Sequence, residues 1–291
     1  MQYTMENALV SVTINHHGAE LSSFILKSDG TEYIWQGNPQ VWGRHAPILF
    51  PIVGRLKDNR YRIGEQEYFL TQHGFARDFP FEPIIAKADH CTFRLTDNPT
   101  TLEKYPYPFQ LDVNYHLIDT TLEIQYKVQN TGKDVMYFSI GGHPGFNCPL
   151  LPEMETMKDY YLEFNEVENV HRLCIRDGLI AKESVPFLQN ESWFSLSPSL
   201  FKEDAVVLHN LASTKIKLAS QTSGKYVTMD FSGFPYLGIW SKADGAPFVC
   251  LEPWFGLADS VDADHNFAAK RGIQTLEPQD VFSCTYSITI G

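Results

Sequence analysis

The chain has 291 residues, of which 43% are hydrophobic, 20% charged and 13% aromatic, and its formal net charge is -12. That length and apolar content support a large buried core and exclude a disordered or coiled-coil chain. The acidic balance argues against a nucleic-acid partner, which would draw on clustered Lys and Arg, and leaves room only for a local basic pocket holding one small anion.

The five cysteines, Cys91, Cys148, Cys174, Cys250 and Cys284, are widely spaced, odd in number and form no CxxC. This argues against a disulfide framework and against a zinc site. The first residues lack a basic region followed by an apolar core, and no apolar run approaches the ~18 residues of a membrane span. A reduced, cytoplasmic, soluble protein with no membrane partner is expected. The sequence carries no signal of oligomeric state.

In chain order, residues 8–14 and 20–26 read as strands, and Asp29-Gly30 is a favourable hairpin turn. The apolar run Ala46 to Val53 is interrupted by two prolines and cannot be a long helix. Tyr61 to Ile63 and Gln66 to Leu70 flank Gly64-Glu65 as a second hairpin, and residues 81–86 and 91–96 read as strands around Asp89-His90. Residues 100–105 suit one helical turn with a Thr cap. Leu122, Ile124, Tyr126 and Val128 alternate with Glu123, Gln125, Lys127 and Gln129, a period of two that marks a strand with one wet face. The next strand, residues 135–140, leads into Gly141-Gly142-His143. Tyr160 to Phe164 and Val206 to Leu208 are short strand candidates, with a short helix from Ser197-Pro198 to about Asp204 between them. Further strands are expected over residues 215–219, 225–231, 236–241, 248–252 and 285–290. No repeat, low-complexity tract or linker divides the chain, so residues 1–291 are expected to form one all-β domain.

Four polar clusters lie beside strand ends: Asn59-Arg60, His73 in QHGFAR, His143 in GGHPGF and Glu252 in CLEPWFG. The glycines and proline around His143 make a bend that can hold an imidazole beside a cleft, or merely a turn whose histidine bonds nearby backbone. Glu252 stands between Phe248-Val249-Cys250-Leu251 and Pro253-Trp254-Phe255. Burial there would raise its pKa and suit it to general-base work near neutrality, while pairing with an arginine for structure is the alternative. No HExxH, GxSxG elbow or phosphate-binding glycine loop is present.

The order Asn59-Arg60, Gln72-His73-Gly74, Gly142-His143-Pro144-Gly145-Phe146, Leu251-Glu252-Pro253-Trp254 resembles the aldose 1-epimerase (galactose mutarotase) superfamily, and the GGHPGF and LEPWFG forms are most similar to its LacX-type branch. The resemblance spans nearly the whole chain. It implies a β-supersandwich, no metal and no organic cofactor. It assigns His143 as the general acid that protonates the sugar ring oxygen and Glu252 as the general base at the anomeric hydroxyl. It assigns His73, Arg60 and Asn59 to sugar binding. Trp240 and Trp254 are candidates for stacking on the sugar or for the core.

The family's classical members carry an NHxYFNL-like segment where this chain has GHPGF, and an aspartate ahead of the glutamate strand. Residues 233–240 here contain no carboxylate, so the identity of the sugar is left open. The implied activity is interconversion of the anomers of an aldohexose. The alternatives are the same reaction on a hexose 6-phosphate, held by Arg77, Arg55, Lys57 or Lys242, and a catalytically silent sugar-binding protein.

Overall fold

The alternating segment forms the strand Thr121–Asn130, with Leu122, Ile124, Tyr126 and Val128 buried on one face, in a computed structural model that describes residues 1–291. It pairs antiparallel with Phe109–Ile118 on one side and Val281–Ile290 on the other. These strands belong to a 15-stranded sheet whose far end carries Ile140–Gly142, Phe248–Phe255, Tyr236–Trp240 and Val206–His209. A separate four-stranded sheet is built from Gln2–Glu6, Val10–Asn15, Glu20–Leu26 and Thr31–Glu32. One hydrophobic cluster of 65 buried residues draws on both sheets. The fold is all-β, as the strand density implied. No helix is long and apolar enough to cross a membrane.

The strand Tyr160–Arg176 joins the two halves of the large sheet. Its first residues pair with Lys215–Ser220, whereas Arg172 and Leu173 pair with Val207 and Leu208. Four register shifts against its hairpin partner Leu179–Ser195 re-aim the strand along its length, as bulges do. At one of them Glu168, 1% exposed, accepts hydrogen bonds from the backbone N–H groups of Ala212 and Ser213. The strand runs well beyond the Tyr160 to Phe164 expected from sequence, and its partner Leu179–Ser195 has no counterpart among the expected strands. The bulges break the period-two pattern that marks a strand in sequence.

Two smaller differences concern local chemistry. The single α-helix, Pro99–Lys104, is capped by Asn98, whose Oδ1 accepts from the N–H groups of Thr100 and Thr101. Thr101 completes a capping box instead of acting as the cap. The segment ahead of His143 is also two strands. Met136–Phe138 pairs with Gln274–Leu276, while Ile140–Gly142 crosses into the large sheet beside Phe248–Phe255.

Candidate active site

His143 and Glu252 face each other across a broken ladder. Gly141 is the partner of Trp254, and after the Gly142-His143-Pro144 bend Gly145 is the partner of Cys250. Continuing either register inward puts His143 opposite Glu252. Pro144 has no N–H to give the ladder, and its carbonyl instead accepts from the N–H of Leu251 at 3.2 Å. Cross-strand partners present their side chains on one face, and the His143 Nε2 stands 3.1 Å from Glu252 Oε2. The pair is therefore side by side and not on opposite walls of a cleft. Both are enclosed, at 7% and 1% exposure.

The same face continues onto Tyr236–Trp240, where Gly238 is the partner of Glu252 and Trp240 that of Cys250. The indole of Trp254 lies over glycines on both neighbouring strands. A Cβ at Gly238 would come within 2.4 Å of its ring, and one at Gly141 within 2.6 Å. Only glycine leaves that space, so the two flanking strands receive a tryptophan beside the carboxylate. Trp42 closes the other side, tilted 30° over the His143 ring with centroids 5.1 Å apart and edge-on to Trp240.

His73 completes the group with its ring 5.4 Å from that of His143. Its backbone and that of Gly74 are left-handed, with φ of 68° and 70°, a cost of about 1–3 kcal/mol for the histidine. The conformation is held because His73 N–H donates to the Gly54 carbonyl while Gly54 N–H donates to His73 Nδ1 at 3.2 Å. An Nδ1 that accepts leaves the proton on Nε2, and the Gln72 Nε2 at 3.3 Å, itself a donor, cannot accept it. Burial keeps His73 neutral, and His143 and Arg77 push the same way.

These groups line a cavity of about 780 Å³ together with Gln72, Arg77, Asp204, Lys242 and Asp244, a size suited to a small polar ligand. Burial pushes the Glu252 carboxyl well above its ordinary value of 4.5, with the Asp204 carboxylate adding to the rise and the Trp254 indole opposing it. Burial likewise holds His143 down to about 3, its own backbone opposing and Arg77 reinforcing. The 3.1 Å contact alone would suit an ion pair. In so enclosed a setting, however, desolvation disfavours both charges, and the proton shared by the pair rests on Glu252.

The structure thus brings together His143, Glu252, His73, Arg77, Trp240 and Trp254. It does not bring Asn59 or Arg60, neither of which lines the cavity. Arg60 is turned into its own hairpin, where it pairs with Glu67 at 3.1 Å and Asp58 at 3.7 Å. The guanidinium that reaches the two histidines is that of Arg77, fixed by donation to the Gln72 carbonyl at 2.6 Å and with a buried Nε that has no partner. Of the other cations weighed for a phosphate, Lys242 lines the cavity, whereas Arg55 donates to the Asp177 carbonyl and Lys57 to that of Ala263.

Three features escaped the sequence. Residues 233–240 hold no carboxylate, but the cavity is lined by Asp204, which precedes the strand Val206–His209 and takes a left-handed φ of 77°. Trp42 comes from an irregular loop with no periodic signal. Cys250, two residues before Glu252, shares its face, and the donor atoms of His143, Cys250 and Glu252 all lie within 4.8 Å of one another.

Residues 1–268 match the family profile described as aldose 1-epimerase. The chain belongs to the aldose 1-epimerase family. Two curated relatives, the plasmid and chromosomal LacX proteins of Lactococcus lactis subsp. lactis, are each 37% identical over 300 residues, covering 100% of this chain and 99% of theirs. Among solved structures, a galactose mutarotase related enzyme from Lactobacillus acidophilus superposes with a TM-score of 0.96 at 37% identity, covering 100% of this chain and 97% of that one. A galactose mutarotase-like protein from Lactobacillus casei gives 0.94 at 32% identity with both chains fully covered. The architecture is accordingly the galactose mutarotase-like β-supersandwich.

Proposed function

We propose that the protein is a 1-epimerase that interconverts the α and β anomers of an aldohexose, with His143 as general acid and Glu252 as general base. The observation that carries this reading is the 3.1 Å separation of His143 Nε2 and Glu252 Oε2 on the floor of the cavity. In a cyclic aldose the anomeric hydroxyl and the ring oxygen sit on one carbon. An acid and a base standing side by side can therefore address both at once.

Ring opening begins from the imidazolium–carboxylate arrangement, reached by a one-proton shift across the pair. Glu252 takes the proton from the anomeric hydroxyl, the bond from C1 to the ring oxygen breaks, and His143 gives its proton to that oxygen. The open-chain aldehyde then faces a neutral imidazole and a protonated carboxyl. That is the state which burial of both groups favours, so ring opening returns the pair to its resting form. Rotation about C1–C2 presents the other carbonyl face, and closure reverses each transfer. In this reading His73 Nε2–H and Arg77 bind sugar oxygens, Asp204 reads hydroxyls, and Trp240, Trp254 and Trp42 pack on the apolar sugar face.

Arg77 and Lys242 at the cavity are balanced by Asp204 and Asp244. That balance favours a neutral sugar over a phosphosugar, whose dianion would need an excess of cations. A silent binding protein would carry the cost of a buried carboxyl with no Lys or Arg partner without using it. The test is NMR exchange or polarimetry on fresh α-glucose and α-galactose, with glucose 6-phosphate as comparator. His143→Asn and Glu252→Gln should each lower exchange by about 10²–10⁴-fold. Near-normal rates in both variants would remove the assignment, and a wild type no faster than solvent would leave a sugar-binding protein.

A further inference from the structure

We propose that the face carrying the acid–base pair is also a zinc site, in which His143, Cys250 and Glu252 hold one Zn²⁺ and the ion switches off anomer exchange. Alternation along the strand Phe248–Phe255 puts Cys250 and Glu252 on one face, and the broken ladder adds His143 from the neighbouring strand. The sulfur, nitrogen and carboxylate donors lie within 4.8 Å of one another, and all three residues are buried. Donors about 2.0–2.3 Å from a zinc ion stand somewhat closer together than this, within reach of side-chain rotation.

Two further observations point to a cation. Glu252 has no Lys or Arg partner, and its Oε2 stands 3.1 Å from His143 Nε2, so the carboxylate and imidazole donors already converge on one point. His143 and Glu252 also line the cavity, which leaves a fourth, open position for water. The donor set selects the ion. One thiolate, one imidazole and one carboxylate suit tetrahedral zinc with one solvent ligand, whereas Mg²⁺ and Ca²⁺ demand all-oxygen shells. The thiolate and carboxylate charges neutralise the dication, so the loaded site buries no net charge. The ion takes the place of the thiol proton and of the proton shared by the pair, leaving neither side chain free to move a proton to sugar. Inhibition rests on the proposed reaction; ion binding does not.

The experiment uses the full chain after chelator treatment. Co²⁺, a tetrahedral probe for zinc, should bind one per chain and give thiolate-to-cobalt charge-transfer absorption that excess Zn²⁺ abolishes. Cys250→Ala should lose that absorption, while a Cys174→Ala control, which removes the one cysteine that is not buried, should keep it. Cys250→Ser serves if the alanine variant does not fold. In the exchange assay, one equivalent of Zn²⁺ should abolish wild-type activity reversibly. Cys250→Ala should retain basal exchange and need at least tenfold more zinc for half inhibition. Absence of the charge-transfer band in wild type, or its survival in Cys250→Ala, overturns the site whether or not the protein exchanges anomers. Zinc inhibition unchanged in Cys250→Ala overturns the link between the site and the switch.

Discussion

Glu252→Gln separates the cost of the buried carboxyl from its use. The two side chains have nearly the same shape, and residue 252 is 1% exposed, so packing against Trp254 and Gly238 is preserved. In the unfolded chain the carboxyl is ionised above its ordinary value of 4.5, while in the folded protein burial and the Asp204 carboxylate hold its pKa well above that value. A group whose pKa is raised by folding contributes stability that is present below the unfolded pKa and is lost as pH rises through the folded one. At neutral pH the wild type therefore bears a penalty that glutamine does not. No arginine or lysine contacts the carboxyl, and the desolvated His143 imidazole 3.1 Å from Oε2 offsets its burial only in part; an incompletely satisfied buried polar group costs about 1–3 kcal/mol. Glutamine retains part of that polar cost, so the expected gain is about 1–2 kcal/mol at pH 8, or a melting temperature higher by roughly 2–6 °C. The gap should narrow as pH falls toward 4.5. Calorimetry at several pH values, alongside NMR exchange expected to fall about 10²–10⁴-fold, tests both halves. A variant less stable than wild type at pH 8, or a gap that widens on acidification, would refute the argument that Glu252 is held in a desolvated, functionally strained state.

Other consequences are equally specific. The pair acts with one proton between its members, so activity should follow a bell whose acid limb lies below the ordinary imidazole value of 6.5 and whose alkaline limb lies above 4.5; a pH profile of kcat/KM measures both. Arg77→Ala should weaken sugar turnover at least tenfold, whereas Arg60→Ala should change it less than twofold, because exposed pairs such as that of Arg60 with Glu67 contribute about 0–1 kcal/mol; paired steady-state assays discriminate. Gly238→Ala should displace the Trp254 ring, destabilising the fold by about 1–3 kcal/mol and lowering activity, as read by denaturant unfolding and tryptophan fluorescence. Lys270→Met strands the buried Asp259, whose carboxylate lies 3.0 Å from the lysine in a segment that contributes Ala258 to the cavity wall. It should cost about 3–5 kcal/mol in chemical denaturation.

The residues themselves determined where strands with one wet face would run, because a half-buried sheet writes its period of two into segments such as Leu122 to Val128. The bends at Gly141-Gly142-His143-Pro144 and the apolar setting of Glu252 were equally legible, because glycine, proline and a carboxylate among aromatics are unusual wherever they occur. What sequence alone could not decide was which polar groups converge. Arg60 and Arg77 are both cations beside strand ends. Only the way the Arg60–Ile63 hairpin folds back on Glu67, and the tie between Gly54 and His73, turns one away from the cavity and the other toward it. Asp204 and the hairpin Tyr160–Arg176/Leu179–Ser195 were hidden for a related reason. A bulged strand loses its periodicity, and a single left-handed aspartate carries no pattern at all. The pairing of His143 with Glu252 is the plainest case. It depends on register between segments about a hundred residues apart in the chain, and register is a property of the assembled sheet, set by which faces must be buried together.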